Sequence, residues 1–468
     1  MKRILIALTL WFSILNLSAA NSYKITGHVE GLNGGDTLVV KLAHYYASKM
    51  YLDDSAFVSP NGKFEFTGDT TLPGGIYLVV LPNTYFEIIM NDQMFFGFET
   101  NTENIVKDLT FKNHQENTDF YNYLNYLNPR GKTIKETSDK IKDEDTSSTS
   151  YKNGRVEITK LSSEIENYQK KYVKDHPDYF SSKLLLANKE IDVPAMTEIA
   201  DDKERRAARY LYYKNHYFEN YDLTDTRYLR TPFFHNKVMN YMNKVIVQSV
   251  DSISKEAFFL IESCGDNYDM FRYLVITFTK EYENPKIMCM DEVFYNIAKK
   301  YYLSENSRVD WIKDETRTKI AEKVDHMKDN LCGMKAKNLM LKDTLGAYHQ
   351  LYDVNNENIV LVFWSATCGH CKKMIPKLHE MYLRIKDEHD VEVYSVCIDA
   401  DDKEYKKFLN KYKLSWINIH ADKNYNGFRQ QFDVFSTPTV YLLNNGKEII
   451  GKKLDVEGIE KIILDRSK

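Results

Sequence analysis

The stretch that decides the fold of the C-terminal region spans residues 363–376 and reads FWSATCGHCKKMIP. It completes a continuous apolar, β-branched run that begins at Ile359, which predicts a strand buried on both faces. Residues 368–386 then have helical spacing, with apolar side chains recurring on one side. The Cys368-Gly-His-Cys371 segment therefore lies where a buried strand turns into a helix.

The residues around this corner predict an α/β unit. Val391–Ile398 indicates a second buried strand, residues 439–450 a hairpin around an Asn-Asn-Gly turn, and Val456–Leu464 a closing helix. Strands that alternate with helices, followed by a terminal hairpin and helix, are typical of a three-layer α/β fold. We predict such a domain over residues 331–468.

The position of the two cysteines predicts thiol-disulfide chemistry. The first turn of a helix has unpaired N–H groups and a partial positive charge, and both favour a thiolate at Cys368. Cys371 lies about one helical turn further on, where it can resolve a mixed disulfide formed on Cys368. His370 adds a potentially cationic group near the sulfurs, which favours the reduced form.

Other uses of a C-x-x-C pair fit the sequence less well. A structural zinc site needs four ligands, and the chain has no second C-x-x-C pair. A c-type haem site needs His directly after the second cysteine, where this chain has Lys372. An inert disulfide stays possible. We expect no metal and no cofactor other than a redox-active Cys368–Cys371 disulfide.

Two segments together resemble the thioredoxin superfamily, and most closely the exported TlpA/ResA-like thiol-disulfide oxidoreductases of the Bacteroidetes type. The first is residues 363–376, with Trp364 four residues before the first cysteine and Pro376 where the family interrupts its helix; the second is Phe435-Ser-Thr-Pro-Thr439. The resemblance implies a cis Thr437–Pro438 bond beside the disulfide, with exposed backbone that pairs with an extended substrate. The implied catalytic residues are Cys368, Cys371, His370 and Pro438, and the implied substrate-binding residues are Trp364, Gly369 and Thr437.

The chain departs from the family pattern at two positions. Val362 stands where many thioredoxins have a buried Asp, and Met374 stands where ResA-like proteins have a Glu. Glu380 and Asp399 are more typical of surface or strand-end residues. The proton acceptor for Cys371 is therefore left unassigned.

The N-terminus predicts export. Residues 1–20 read MKRILIALTLWFSILNLSAA, with a basic start, an apolar run and small residues before Asn21, as in a cleaved signal peptide. The apolar run of about 14 residues is short for a membrane span, which needs about 20. We expect a periplasmic protein.

Two further regions precede the redox unit. Short alternating segments with turn residues between them predict an antiparallel β-sandwich over residues 21–104. Long, charged, Tyr-rich segments with helical spacing predict a helical domain over residues 105–330, with a polar loop or frayed junction near residues 137–153. The fold class is therefore multidomain α+β, with a thioredoxin-like C-terminal domain. Accessory domains of this kind have no well-defined activity, so the resemblance assigns them none.

The amino-acid composition of the chain argues against two classes of protein. The 468 residues include 63 Lys and Arg against 67 Asp and Glu, a net charge of −4 that does not suggest a nucleic-acid binder. Six cysteines are too few for a disulfide-rich scaffold. Cys397 is typical of a buried strand residue, Cys264 and Cys289 could pair with each other, and Cys332 lies near the domain junction.

These observations predict a periplasmic thiol-disulfide oxidoreductase that reduces or isomerises disulfides of envelope proteins. A reductant in an oxidising compartment needs an electron donor, which suggests a membrane partner. Two alternatives stay open. The chain could instead form disulfides as an oxidase, or it could be an envelope binding or assembly module whose redox domain is secondary.

Overall fold

The computed structural model describes residues 21–35, 37–343, 346–398, 402–421 and 427–466. The predicted signal peptide and Asp399 lie outside these residues. The chain forms two compact units that divide between Val245 and Ile246. This division falls inside the predicted helical domain, because its later helices pack with the C-terminal sheet domain.

Over the described residues, no helix is both long and apolar enough to cross a membrane.

The first unit begins with a β-sandwich. Its strands are β1 Tyr23–Glu30, β2 Val39–Tyr46, β3 Lys49–Phe57, β4 Lys63–Gly68, β5 Gly75–Val80, β6 Tyr85–Met90, β7 Phe95–Asn101 and β8 Thr110–Lys112. One sheet has the order β4-β1-β7-β8 and the other β3-β2-β5-β6. Buried side chains from both sheets, among them Phe66, Tyr77 and Phe98, meet in one core, so the predicted sandwich is confirmed.

Two details of the sandwich differ from the sequence-based expectation. Strands β1 and β7 are parallel, not antiparallel, because the chain passes through the other sheet before it returns alongside β1. Strand β8 lies beyond residue 104 and pairs with β7, so the sheet continues into the region predicted to be helical.

Helices complete the first unit: α1 Gln115–Ile141, α2 Thr149–Asp175, α3 Phe180–Ala187, α4 Asp202–His216 and α5 Phe234–Asn240. Helices α1 and α2 pack along each other through a 3.0 Å Arg130–Glu164 ion pair and stacked rings of Tyr126 and Tyr168. The predicted junction near residues 137–153 is helical except for the short link between α1 and α2.

The second unit begins with the helices α6 Val250–Glu262, α7 Tyr268–Glu283, α8 Asp291–Ile297 and α9 Asp314–Met327. Its remaining elements are β9 Met340–Lys342, β10 Tyr348–Gln350, β11 Asn358–Trp364, α10 Gly369–Ile385, β12 Val391–Cys397, α11 Asp402–Tyr412, β13 Ile417–His420, α12 Gly427–Gln431, β14 Thr439–Asn444, β15 Ile449–Lys452 and α13 Val456–Arg466. The central sheet has the order β13-β12-β11-β14-β15. Its first three strands are parallel and the last two antiparallel.

Strand β11 lies at the centre of this sheet, and all its residues are buried, as its apolar run predicts. Val360, Val362 and Trp364 alternate with their neighbours and pack on the side covered by α10 and α13. The intervening residues pack on the opposite side. Helix α10 continues through Pro376, so the expected interruption of the helix is wrong. A proline here removes one backbone donor, which the surrounding packing tolerates.

A disulfide joins Cys289, just before α8, to Cys332, which follows α9, with 5.7 Å between the Cα atoms. The suggested Cys264–Cys289 pairing is therefore wrong, since folding brings Cys332 closer to Cys289 than sequence spacing can show. Cys264 and Cys397 are buried thiols outside this disulfide, and Cys397 lies in β12 as expected.

Candidate active site

The Cys368-to-Cys371 segment lies at the corner between β11 and α10, as the sequence predicts. Cys368 is the N-cap of α10, and its carbonyl accepts the first helical hydrogen bond, from the N–H of Lys372 at 3.0 Å. Its own N–H donates to Ser365 Oγ at 3.1 Å. The turn after β11 therefore fixes Cys368 at the positive end of a helix of about four to five turns.

The Cys368 thiol is partly exposed and has a lowered pKa. Burial alone would raise this pKa, but hydrogen bonding by the backbone of Cys371 and His370 and by Thr437 outweighs that effect. The first-turn N–H groups of α10 therefore stabilise a thiolate at Cys368, which is the form that attacks disulfides.

The Cys371 thiol is the opposite case. It is fully buried against the α10 side of the sheet, and burial raises its pKa to about 12. The backbone N–H of Ser365 points at its sulfur at 3.5 Å.

The predicted cis peptide bond is present between Thr437 and Pro438. Although these residues are far from the cysteines in sequence, the Cys368 thiol donates to the carbonyl of Thr437 at 3.4 Å. The loop from Phe435 to Pro438, called the cis-proline loop below, therefore borders the reactive sulfur. Its position allows an extended segment to lie beside Cys368.

The other predicted site residues have different environments. His370 is exposed next to the sulfurs. Gly369 is also exposed, and a Cβ there would meet no atom within 4 Å, so packing does not require glycine. Trp364 is fully buried, and its Nε1 donates to Ser395 Oγ at 2.7 Å. The expectation that Trp364 contacts substrate is therefore wrong; its ring supports the sheet beneath the site.

A groove of about 910 Å³ runs beside the cysteines and includes His370 and Pro438 in its lining. Helix α9 contributes Lys319, Lys323 and His326 to this lining. Sequence reasoning missed these residues because they precede the thioredoxin-like region and carry no motif. Only the packing of α9 within the second unit brings them to the groove.

The structure also locates the positions relevant to proton transfer. Val362 is buried and Met374 is partly buried, and neither side chain has a carboxylate. The Glu380 side chain is exposed to solvent, whereas Cys371 is buried, so Glu380 does not present its carboxylate to Cys371. Asp433 is half-buried in the groove lining, and burial raises its pKa. Nearby cationic groups, first among them Lys453, oppose this rise.

In the part of the chain that the structure describes, no three His, Cys, Asp or Glu side chains converge as a metal-ligand set.

Comparison with known proteins places this site in a family. Residues 356–449 match the family model described as thioredoxin-like. The ResA thiol-disulfide oxidoreductase of Bacillus thuringiensis (strain Al Hakam) is 31% identical over 138 residues, which cover 28% of this chain and 78% of that protein. The chain belongs to the ResA-like thiol-disulfide oxidoreductases. The ResA of Bacillus subtilis (strain 168) is 26% identical over 119 residues, 25% of this chain and 64% of the relative.

The ResA-like part is preceded by two regions that match domains of unknown function, DUF4369 at residues 23–120 and DUF5106 at residues 133–330. Among solved structures, a thioredoxin-like protein from Bacteroides caccae covers 59% of this chain and 99% of its own, at 21% identity and a TM-score of 0.46. A domain of a possible thiol-disulfide isomerase from Cytophaga hutchinsonii is 34% identical over 30% of this chain and 95% of its own, with a TM-score of 0.28.

Proposed function

We propose that this ResA-like oxidoreductase reduces or isomerises disulfides of envelope proteins, with Cys368 as nucleophile and Cys371 as resolving cysteine. The observation that carries the proposal is the asymmetry of the two thiols. Cys368 is accessible, has a lowered pKa and touches the cis-proline loop, whereas Cys371 is buried with a pKa of about 12. Cys368 therefore forms the attacking thiolate more readily, and Cys371 stays protonated until the mixed disulfide has formed.

The reaction follows from this arrangement. The Cys368 thiolate attacks one sulfur of the substrate disulfide, forms a mixed disulfide and releases the other substrate sulfur as a thiolate, which takes up a proton. Cys371 then loses its proton and attacks the Cys368 sulfur. This step closes the Cys368–Cys371 disulfide and releases the second substrate thiol. Two electrons and two protons pass to the substrate in total.

The cis-proline loop supplies the position for the substrate in this scheme. Because the Thr437 carbonyl lies 3.4 Å from the Cys368 sulfur, an extended backbone beside the loop brings its own sulfur within reach of the thiolate. His370 is exposed next to the cysteine pair, lines the same groove as Pro438 and can interact with the departing sulfur.

The activity test is reduction of insulin with dithiothreitol as electron source. We expect Cys368→Ser to abolish turnover and Cys371→Ser to accumulate mixed disulfides, seen as adducts on non-reducing gels of cell extracts. Cys264→Ala is the matched control, since it removes a free buried thiol of the same unit outside the site. Turnover by Cys368→Ser at the wild-type rate would overturn the assignment.

The direction of electron flow is tested by the reduction potential of the Cys368–Cys371 pair. A potential near −270 mV, roughly that of thioredoxin, fits the proposed reductase. A potential near −120 mV, roughly that of a strong periplasmic oxidant, would instead favour disulfide formation. The lowered pKa of Cys368 stabilises the reduced form and so raises the potential, which makes this measurement decisive.

Export to the periplasm is part of the proposal and is supported by the signal-like residues 1–20. Reduction there needs a membrane electron donor, since the compartment is kept oxidising. Cell fractionation with N-terminal sequencing tests the location, with Asn21 as the expected first residue. Recovery of unprocessed protein in the cytoplasm would contradict it.

A further inference from the structure

A segment that precedes the thioredoxin-like region contacts the cis-proline loop and the residues before it. Asn330, which follows α9 and is 2% exposed, donates through Nδ2 to the carbonyl of Gln431 at 2.9 Å. The same amide donates to the carbonyl of His326 at 2.8 Å. One buried side chain therefore connects the end of α9 to the residues that lead into the loop.

A second contact reaches the loop itself. The ring of His326 packs against the ring of Phe435, with 5.1 Å between the centroids. Phe435 is 64% exposed, so its ring is not a core residue, yet both rings line the groove that contains His370 and Pro438. The groove beside the redox cysteines therefore has an aromatic surface built from two distant parts of the chain.

The segment that contacts the loop is itself firmly anchored. The Lys452 ammonium group donates to the Asn330 carbonyl at 2.9 Å and pairs with Asp291 at 2.8 Å, and both side chains of this pair are 6% exposed. Two residues after Asn330, Cys332 forms the disulfide with Cys289. Such a buried, cross-linked arrangement keeps His326 in a fixed place relative to the loop.

We propose that His326–Asn330 is a specificity-determining segment of the redox site, in which Asn330 positions the cis-proline loop and His326 with Phe435 binds an apolar side chain beside the cysteine of an extended substrate protein. The inference rests on the proposed function. An apolar side chain fits this place because it would bury the exposed ring of Phe435, which is favourable. Met374 and Leu454 add further apolar surface to the same groove. The groove is also continuous with the reactive site, so a segment held there presents its sulfur to Cys368.

The test compares a protein substrate with a small one. On this proposal insulin must occupy the groove during its reduction, whereas the small aromatic disulfide DTNB needs only access to Cys368. We expect Phe435→Ala and His326→Ala to raise the KM for insulin roughly fivefold to tenfold, as for loss of an aromatic anchor, with kcat and the DTNB rate within about twofold of wild type. His326→Phe keeps a ring against Phe435 and should restore most of the KM.

Matched controls separate this role from general surface effects. Tyr348→Ala removes a ring with 63% exposure in the same unit that does not line the groove, and Lys328→Ala changes an exposed residue just after α9. Neither should change the KM. Asn330→Ala should raise the insulin KM as well, since the loop loses its anchor.

The possible results separate failure of this inference from failure of the proposed function. An unchanged insulin KM in Phe435→Ala and His326→Ala, with normal DTNB reduction, overturns this inference and leaves the proposed function intact. A wild-type protein inactive on both substrates overturns the proposed function and the inference with it. If Asn330→Ala fails to fold, Phe435→Ala still decides, because its exposed ring can be removed without disturbing the core.

Discussion

The reactivity of the two active-site thiols offers the sharpest prediction. With each cysteine studied alone, in Cys371→Ser and Cys368→Ser variants, iodoacetamide should modify Cys368 much faster than Cys371 at pH 7. The physical reason is that the helix N-terminus stabilises the Cys368 thiolate, while burial disfavours the Cys371 thiolate.

The magnitude follows from the two pKa values. The pKa of Cys368 lies below its ordinary value of 9.0 and that of Cys371 is about 12. The thiolate fraction of Cys368 at pH 7 is therefore at least about a thousandfold higher. A thiolate of higher pKa is intrinsically more nucleophilic, and this effect reduces the expected rate ratio by up to about thirtyfold. The net rate ratio should be at least about thirtyfold, and the burial of Cys371 increases it further.

The assay is alkylation of the reduced variants followed by mass spectrometry of the peptide that contains both positions. The rate for Cys368 should rise with pH as the thiolate forms and level off at a lower pH than the rate for Cys371. The buried thiols Cys264 and Cys397 serve as internal controls, because they lie in other peptides. Equal rates for the two variants at pH 7 would refute the asymmetry and the roles drawn from it.

Three further predictions concern the support of the site. Asp291→Ala removes the buried carboxylate that pairs with the Lys452 ammonium group, and it should lower the unfolding free energy by about 3–5 kcal/mol. The double replacement of Asp291 by Leu and Lys452 by Met removes both charges and should recover most of this loss, as measured in thermal melts. Replacing both Cys289 and Cys332 by Ala should lower stability by about 2–5 kcal/mol in the same melts and leave DTNB reduction intact. Trp364→Phe removes a buried hydrogen bond and should cost about 1–3 kcal/mol in denaturant unfolding, with no change in the insulin KM, since the ring is out of reach of substrate.

The strand-to-helix corner could be predicted from sequence because its signals are local. The apolar run that ends at Trp364 and the helical spacing after Cys368 each depend on nearby residues only. The cis-proline loop was found by a motif that recurs with the family. The buried position of Trp364 was not found, because an aromatic residue close to a site in the sequence is equally compatible with substrate contact and with core packing.

The pairing of the other cysteines depends on the fold. Sequence spacing left Cys264, Cys289 and Cys332 with several possible pairings, since a disulfide needs two Cα atoms within about 7 Å and this distance depends on the fold. The packing of α8 and α9 brings Cys289 and Cys332 to 5.7 Å and leaves Cys264 buried and free.

The sequence by itself therefore determined the chemistry proposed for this protein: a C-x-x-C pair at a helix N-terminus, with the proposed nucleophile and resolving cysteine chosen by their positions in the first turn. Only the tertiary structure decided what surrounds that chemistry. It divided the helical region between two units, placed His326 against Phe435, and tied Asn330 to the residues before Pro438. Helix-terminal electrostatics depends on residues adjacent in the chain, whereas a groove wall depends on which distant faces pack together, and no local pattern records that choice.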